Sequence, residues 1–255
     1  MIYRLFYISF SVSLIVFPAL NNPGTTFMET QLHNSRVAAA KKEKDESLKK
    51  LCLDKGISYP PKSIFIRVFK KDAGLEVWAK NKNTEPYKLL KTYRICVVSG
   101  DLGPKRREGD GQTPEGFYTI SNFNPNSNYY LSLGVGYPNA SDRLKSDKHH
   151  PGGNIYIHGN CVSIGCMPIQ DDGIKELYWL AVQAKSAGEA NIPVHIFPFR
   201  MNSDNMKWAT NKYSNDKSLV NFWKELEPGY SWFENHKTLP DIGINKLGGY
   251  VFGNE

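Results

Sequence analysis

Two residues eight positions apart carry the most direct chemistry in this chain. His158 and Cys166 bound the run His158-Gly159-Asn160-Cys161-Val162-Ser163-Ile164-Gly165-Cys166. A thiol attacks well only as the thiolate, so a nucleophilic cysteine needs a base or a positive neighbour. His158 ends a short strand-like stretch from Asn154, and a chain that turns at Gly159 and returns could set imidazole beside thiol. Gly165 permits a tight turn and close approach of a substrate. Backbone N–H groups at Gly165 and Cys166 are the candidate oxyanion donors, with Ser163 in a supporting role. Two other readings share these residues. A lone buried cysteine is commonly inert packing. His158, Cys161 and Cys166 also offer three metal donors, with a cysteine separation near that of zinc sites but no fourth ligand close by. The spacing alone leaves all three open. His149-His150-Pro151-Gly152-Gly153 reads as a solvated loop, with a place along a cleft as the alternative.

The rest of the chain must position this run. Its 255 residues, 40% hydrophobic with 14 Tyr, 13 Phe and 5 Trp, suffice for one sizeable core and argue against global disorder. The net charge of +7 suits an anionic partner such as a wall polymer, or simply solubility. No basic stretch carries a nucleic-acid-binding motif, so no nucleic-acid partner is expected. Arg4 precedes an apolar run from Leu5 to Leu20, and Asn21-Asn22-Pro23-Gly24 turns polar. A basic start, a short apolar run and a small-residue end read as an export signal over 1–20, shorter than a membrane span needs. The expected product is an exported protein of the periplasm or cell envelope, with no stable membrane anchor once the signal is cleaved. Export permits disulfides. Cys52, Cys96, Cys161 and Cys166 allow three full pairings. A Cys161–Cys166 bridge would block the nucleophile.

Hydropathy patterning then gives the elements. An exposed linker is expected from Asn21 to about Leu32, followed by a charged helix from Arg36 to Lys55 with a solvated face, stopped by Tyr59-Pro60-Pro61. Ile64–Phe69 and Leu75–Ala79 form a hairpin around Lys71-Asp72-Ala73-Gly74. Further strands are expected at Tyr93–Val98, Gly116–Ile120, Asn154–His158 and Ile192–Phe197. Gly100–Gly111 is a loop too polar for the core. Ile174, Leu177, Tyr178, Ala181 and Ala184 share one helical face, with Asp171 as N-cap and Gly188 as stop. Short helices are expected at Leu219–Leu226 and Ser231–His236. Strands with non-alternating helices indicate a β-rich α+β fold.

These residues resemble the L,D-transpeptidase catalytic domain, the YkuD family. Its hallmark is a His-Gly followed by Ser/Thr-x-Gly-Cys, here His158-Gly159 and Ser163-Ile164-Gly165-Cys166. Likeness to the YafK-like branch comes from Ser99–Lys105, Glu108–Tyr118, Gly136–Arg143 and Phe197-Pro198-Phe199. It extends from about Ile64 to Gly249-Tyr250-Val251-Phe252. The resemblance implies a mixed β-sandwich with peripheral helices and the nucleophile at a cleft mouth. It implies a catalytic domain over 61–201, after a linker and N-terminal helix over 21–60. Residues 202–255 would be a helical extension packed on that domain. The implied chemistry is attack by the thiolate on an amide carbonyl of a diaminopimelate-type residue in peptidoglycan stem peptides. An acyl-enzyme would then pass to an amine or to water, with no cofactor and no metal. Some YafK-like members resemble hydrolases that release wall-linked lipoprotein, a further partner class. A non-catalytic wall-binding module keeping the fold is the alternative. The family pattern carries His where this chain has Ile164, and Arg soon after the cysteine where this chain has Met167-Pro168. Arg143, Tyr137 or the loop Lys105-Arg106-Arg107 are therefore the candidates for substrate carboxylate contacts. For that loop an ordinary solvated face is the favoured reading.

Overall fold

The computed structural model describes residues 26–253. The N-terminal run read as an export signal lies outside them. The order of elements is α1 (Phe27–Leu32), α2 (Ser35–Asp54), β1 (Ser63–Phe69), β2 (Gly74–Lys80), β3 (Lys88–Arg94), β4 (Gly116–Asn124), β5 (Ser132–Val135), α3 (Ala140–Lys145), β6 (Tyr156–His158), β7 (Met167–Pro168), α4 (Gln170–Ser186), β8 (Pro193–Phe197), α5 (Ser203–Lys212), α6 (Lys217–His236), β9 (Asp241–Ile244) and β10 (Tyr250–Gly253).

Eight strands make one mixed sheet in the order β3-β2-β1-β8-β4-β5-β6-β7. β4 joins its two halves. The start of β4 pairs with β8, its end pairs with β5, and the register shifts between Ile120 and Asn122. A bulge of this kind bends a strand and increases its twist, which is how one strand serves both halves of a curled sheet. The first half is covered on both faces, so β1 is buried throughout. Ile64, Ile66 and Val68 enter the main core with α2 and α4. Phe65, Phe69 and Arg67 point the other way, toward Tyr230 and Phe233 of α6. β8 alternates likewise: Val194 and Ile196 face the main core, while His195 packs edge-on to Phe65 and Phe117.

α4 is buried nearly all round, as a helix enclosed by a sheet on one side and helices on the other must be. It contacts β1, β5 and β6, and it packs along α2. The face of α2 expected to be solvated is partly interface. Val37, Ala40, Leu48 and Cys52 are buried, and Asp45 accepts from Trp179 Nε1 at 2.6 Å. Lys44 pairs with Asp172, and Lys175 with Glu43.

Several boundaries differ from expectation for local reasons. The linker expected to run to Leu32 instead folds as α1 from Phe27, because Thr26 and Glu29 form a reciprocal capping box and Phe27 meets Phe123 edge-on. The strand expected at Tyr93–Val98 lies earlier, at β3, with Leu90 bulged out of register; beyond Arg94 the chain leaves the β2 ladder, Ile95 bonding to Ala73 and Cys96 to Pro168. α4 starts at Gln170, so Asp171 sits in its first turn rather than at the N-cap. The two short C-terminal helices are one, α6, running through Pro228. Proline removes the bond to the carbonyl four residues back, that of Lys224. Both residues are exposed, so water satisfies the orphaned carbonyl. α5 has no counterpart in the sequence reading. α5, α6 and the β9–β10 hairpin share a core with Phe69, Phe117 and Phe197 of the sheet. No helix among the described residues is long and apolar enough to cross a membrane.

Candidate active site

β6 and β7 run parallel, with Ile157 opposite Met167 and His158 opposite Pro168. Ile157 and Met167 point into the core. One residue back along both strands, Tyr156 and Cys166 must therefore share the opposite face, and His158 returns to it by the two-residue period. A two-residue offset along one strand and one step across puts the His158 and Cys166 Cα atoms about 8 Å apart, within side-chain reach. Both residues line a cavity of about 400 Å³.

The imidazole is pinned. It is 1% exposed, stacks on the Tyr129 ring at 4.6 Å, and its Nδ1 lies 2.5 Å from the Gly159 carbonyl oxygen. A carbonyl only accepts, so Nδ1 carries the proton and Nε2 keeps a free lone pair. Burial holds the imidazole below its ordinary pKa, against the opposing effect of that Gly159 bond. The Cys166 thiol is pushed up by burial, against the Tyr156 backbone N–H and the charge of Lys105, which act to lower it. Cys166 Sγ donates to the Asn154 carbonyl at 3.5 Å. The resting pair near neutral pH is thus a thiol and a neutral imidazole.

Two glycines in the motif are sterically required. A Cβ on Gly159 would lie 2.7 Å from the Tyr129 carbonyl oxygen and 2.5 Å from Asp171 Oδ1. Gly165 has φ of +130°, and a Cβ there would lie 2.8 Å from the Gln112 carbonyl oxygen. Ser163 Oγ accepts from the Gly165 N–H at 3.0 Å and donates to the Cys166 carbonyl at 2.7 Å. The Gly165 amide, expected as an oxyanion donor, is therefore already engaged. Ser163 braces the loop.

The cysteines sort themselves. Cys161 pairs with Cys96, whose Cα is 5.8 Å away, while Cys52 and Cys166 are free. The Cys161–Cys166 bridge considered from sequence is not formed, and the His158/Cys161/Cys166 metal set loses a donor to the disulfide. No cluster of three or more metal-ligating side chains occurs among the described residues.

None of the carboxylate-contact candidates lines the cavity. Arg143 is exposed on α3. Tyr137 is buried, with its hydroxyl donating to the Pro151 carbonyl at 2.8 Å. Lys105 is not the solvated residue expected: it is 4% exposed, and its Nζ donates to Asp110 at 2.6 Å and to the Arg107 carbonyl at 2.8 Å. Asp110 also accepts from the amides of Arg106, Arg107 and Gln112, so this ion pair shapes the wall against which Gly165 packs. The cavity is instead lined by uncharged groups that the sequence reading passed over: Asn124, Ser127, Asn128, Tyr129, Asn154 and Tyr156. The amide- and hydroxyl-rich run from Asn122 to Ser132 was the available signal. Val162 and Ile164 add apolar side chains at the mouth, Ile164 being 87% exposed.

Residues 63–196 match the family model of the L,D-transpeptidase catalytic domain, YkuD. The chain belongs to the L,D-transpeptidase catalytic-domain family. It is 40% identical over 183 residues to the Escherichia coli (strain K12) protein named "Putative L,D-transpeptidase YafK", covering 71% of this chain and 70% of that one. Among solved structures, it resembles the helical cell shape determining protein Pgp2 of Campylobacter jejuni, at 19% identity and a TM-score of 0.42, over 72% of this chain and 73% of that one. It also resembles L,D-transpeptidase 1 of Mycobacterium tuberculosis, at 16% identity and a TM-score of 0.30, over 53% and 62%. The family segment spans β1 to β8 and includes His158 and Cys166.

Proposed function

We propose that this L,D-transpeptidase-family chain is a cell-wall enzyme of the envelope in which Cys166 is the nucleophile and His158 its base. One observation carries the proposal: the two side chains share a face of adjacent parallel strands in one cavity, with the imidazole oriented so that Nε2 is the free nitrogen. Acylation follows from that arrangement. Nε2 takes the thiol proton as Sγ attacks an amide carbonyl carbon in a peptidoglycan stem peptide. With Gly165 N–H held by Ser163, the amide of Cys166 remains in this loop for the developing oxyanion. Collapse breaks the C–N bond, and the imidazolium returns its proton to the leaving amine. The thioester then passes to an acceptor amine, giving a cross-link, or to water, giving hydrolysis. A wall-linked protein is one leaving group that this chemistry accommodates.

Purified protein incubated with muropeptides, with products read by mass spectrometry, tests this directly. Transfer adds the mass of a second stem, and hydrolysis adds water. Cys166→Ala is expected to abolish both. Full turnover by that variant would overturn the nucleophile assignment, and sacculus binding without turnover by the wild type would favour a wall-binding module.

A further inference from the structure

Between His158 and β7 the chain has neither helix nor strand. Cys161, Val162 and Ile164 are exposed, and the hydrogen bonds described for residues 161–165 stay within 160–166: Cys161 N–H to Asn160, and the two made by Ser163. An exposed loop held mainly to itself opens easily. Yet Cys166 stands at its end, where position matters most.

One residue outside the loop grips it on both sides of Cys166. Cys96 follows β3, and its neighbour Ile95 donates to the Ala73 carbonyl at 2.8 Å, fixing it to the β1–β2 turn. Cys96 N–H donates to the Pro168 carbonyl at 3.0 Å, two residues after Cys166. Its sulfur is bonded to Cys161, five residues before. The loop is thereby closed into a ring whose base is the edge of the sheet.

We propose that the Cys96–Cys161 disulfide is a positioning device that holds the Cys166 loop in its reactive placement, so that the oxidised protein is the active form. This rests on Cys166 being the nucleophile. Its consequence runs against ordinary practice with thiol enzymes, because reductant should lower turnover here. A dithiol delivers two electrons and two protons, giving free Cys96 and Cys161 thiols and the cyclic oxidised dithiol. Cys166, already a free thiol, gains nothing. The stretch 161–165 then keeps only its internal bonds, its ends still held by Asn160 N–H to Asp171 and by Cys96 N–H to Pro168, and a displacement of about 1 Å at a reacting atom can cost on the order of 100-fold in rate.

The test uses the full chain and muropeptide turnover. In Cys96→Ser/Cys161→Ser, kcat is expected to fall about 10- to 100-fold with KM within about twofold, and iodoacetamide labelling of Cys166, followed across pH, should shift its profile. In the wild type, dithiothreitol titration should lower turnover in step with opening of the bridge, read by acid quench and thiol mass labelling, and reoxidation should restore it. Unchanged kcat in the double variant or in fully reduced protein overturns the proposal. So does a loss that merely tracks unfolding by circular dichroism, because the bridge would then be structural only. Cys166→Ala separates the two levels. If that variant stays active, the nucleophile reading fails. If it is dead while the double variant works at the wild-type rate, positioning alone fails.

Discussion

At the scale of single residues, the site is built around a neutral pair. Burial pushes the Cys166 thiol up and the His158 imidazole down, so each disfavours its own charged form. A preformed thiolate is not the resting state, and in the proposed mechanism His158 accepts the proton as Sγ attacks. Two pH dependences should therefore separate. Alkylation of free Cys166 should be slower at pH 7 than that of an ordinary cysteine, and should rise about tenfold per pH unit until the raised thiol pKa is passed. Turnover needs only neutral imidazole, so its acid limb should fall below about pH 6.5, the ordinary histidine value. His158→Gln should cut turnover by about 10²- to 10⁴-fold while changing the alkylation rate at pH 9 by less than about threefold. Stopped-time alkylation with mass readout and steady-state kinetics check both. That His158 and Cys166 come together in one cavity was legible from sequence, because the motif runs from the end of β6 to the start of β7, its parallel neighbour. Their electrostatics were not, because burial comes from Tyr129, Tyr156 and the β5 edge, none of which the motif names.

At the scale of elements, the parallel β6–β7 pair sets the residue face and α4 steadies the connection between them. Asp171 Oδ1, in the first turn of α4, accepts from the Asn160 N–H at 2.7 Å, and Asn160 takes φ of +57°, a conformation Asn tolerates. A carboxylate there also suits the helix dipole. Asp171→Ala should lower kcat about tenfold with KM nearly unchanged, and should cost about 1.5–3 kcal/mol, a fall in melting temperature of about 3–12 °C. Asp171→Asn, which keeps an acceptor oxygen, should restore most of the rate. Kinetics and thermal melts of both variants check this. The periodicity of α4 was legible because an apolar face recurs at helical spacing. The N-cap was misplaced because Asp171 serves the loop after His158, a partner eleven residues back that helix rules do not consider. The two short helices expected at Leu219–Leu226 and Ser231–His236 are one because the Pro228 break falls on the exposed side of α6 while Trp223, Leu226, Tyr230 and Phe233 stay packed on the sheet, and burial is a tertiary fact. The Cys96–Cys161 pairing spans 65 residues, and spacing does not distinguish among the three pairings of four cysteines.

At the scale of the whole molecule, helices cover both faces of the sheet's first half, so its central strands carry chemistry-bearing side chains where water does not reach. The α+β class and the family likeness were legible from ordered segments. The layering was not, because β1 and β8 are buried on both faces and lose the alternation that marks a half-exposed strand. His195 is the clearest result. It lies among Phe65, Phe117 and Phe197, its Nδ1 has no partner, and burial together with the nearby Arg67 charge holds it at about 3. Below the unfolded value of about 6.5 the unfolded chain binds a proton that the fold refuses, so stability falls as pH drops from about 6.5 toward 3. Asp142 acts in the opposite sense. Burial raises it to about 6, so the fold holds a proton there that the unfolded chain releases, and stability rises as pH falls from 6 toward the ordinary aspartate value. Between those limits the two slopes oppose each other in the wild type, and the lowered carboxylates of Asp110, Asp172 and Glu234 add to the total, so acid titration of the native protein alone isolates neither. Replacing His195 exposes its part. His195→Phe keeps the ring shape among aromatic neighbours and removes the titration, so relative to wild type it should gain about 3 kcal/mol in stability between pH 7 and pH 4. Urea unfolding of both proteins at those two pH values measures that difference. A gap that stays constant with pH would mean that His195 is protonated inside the fold.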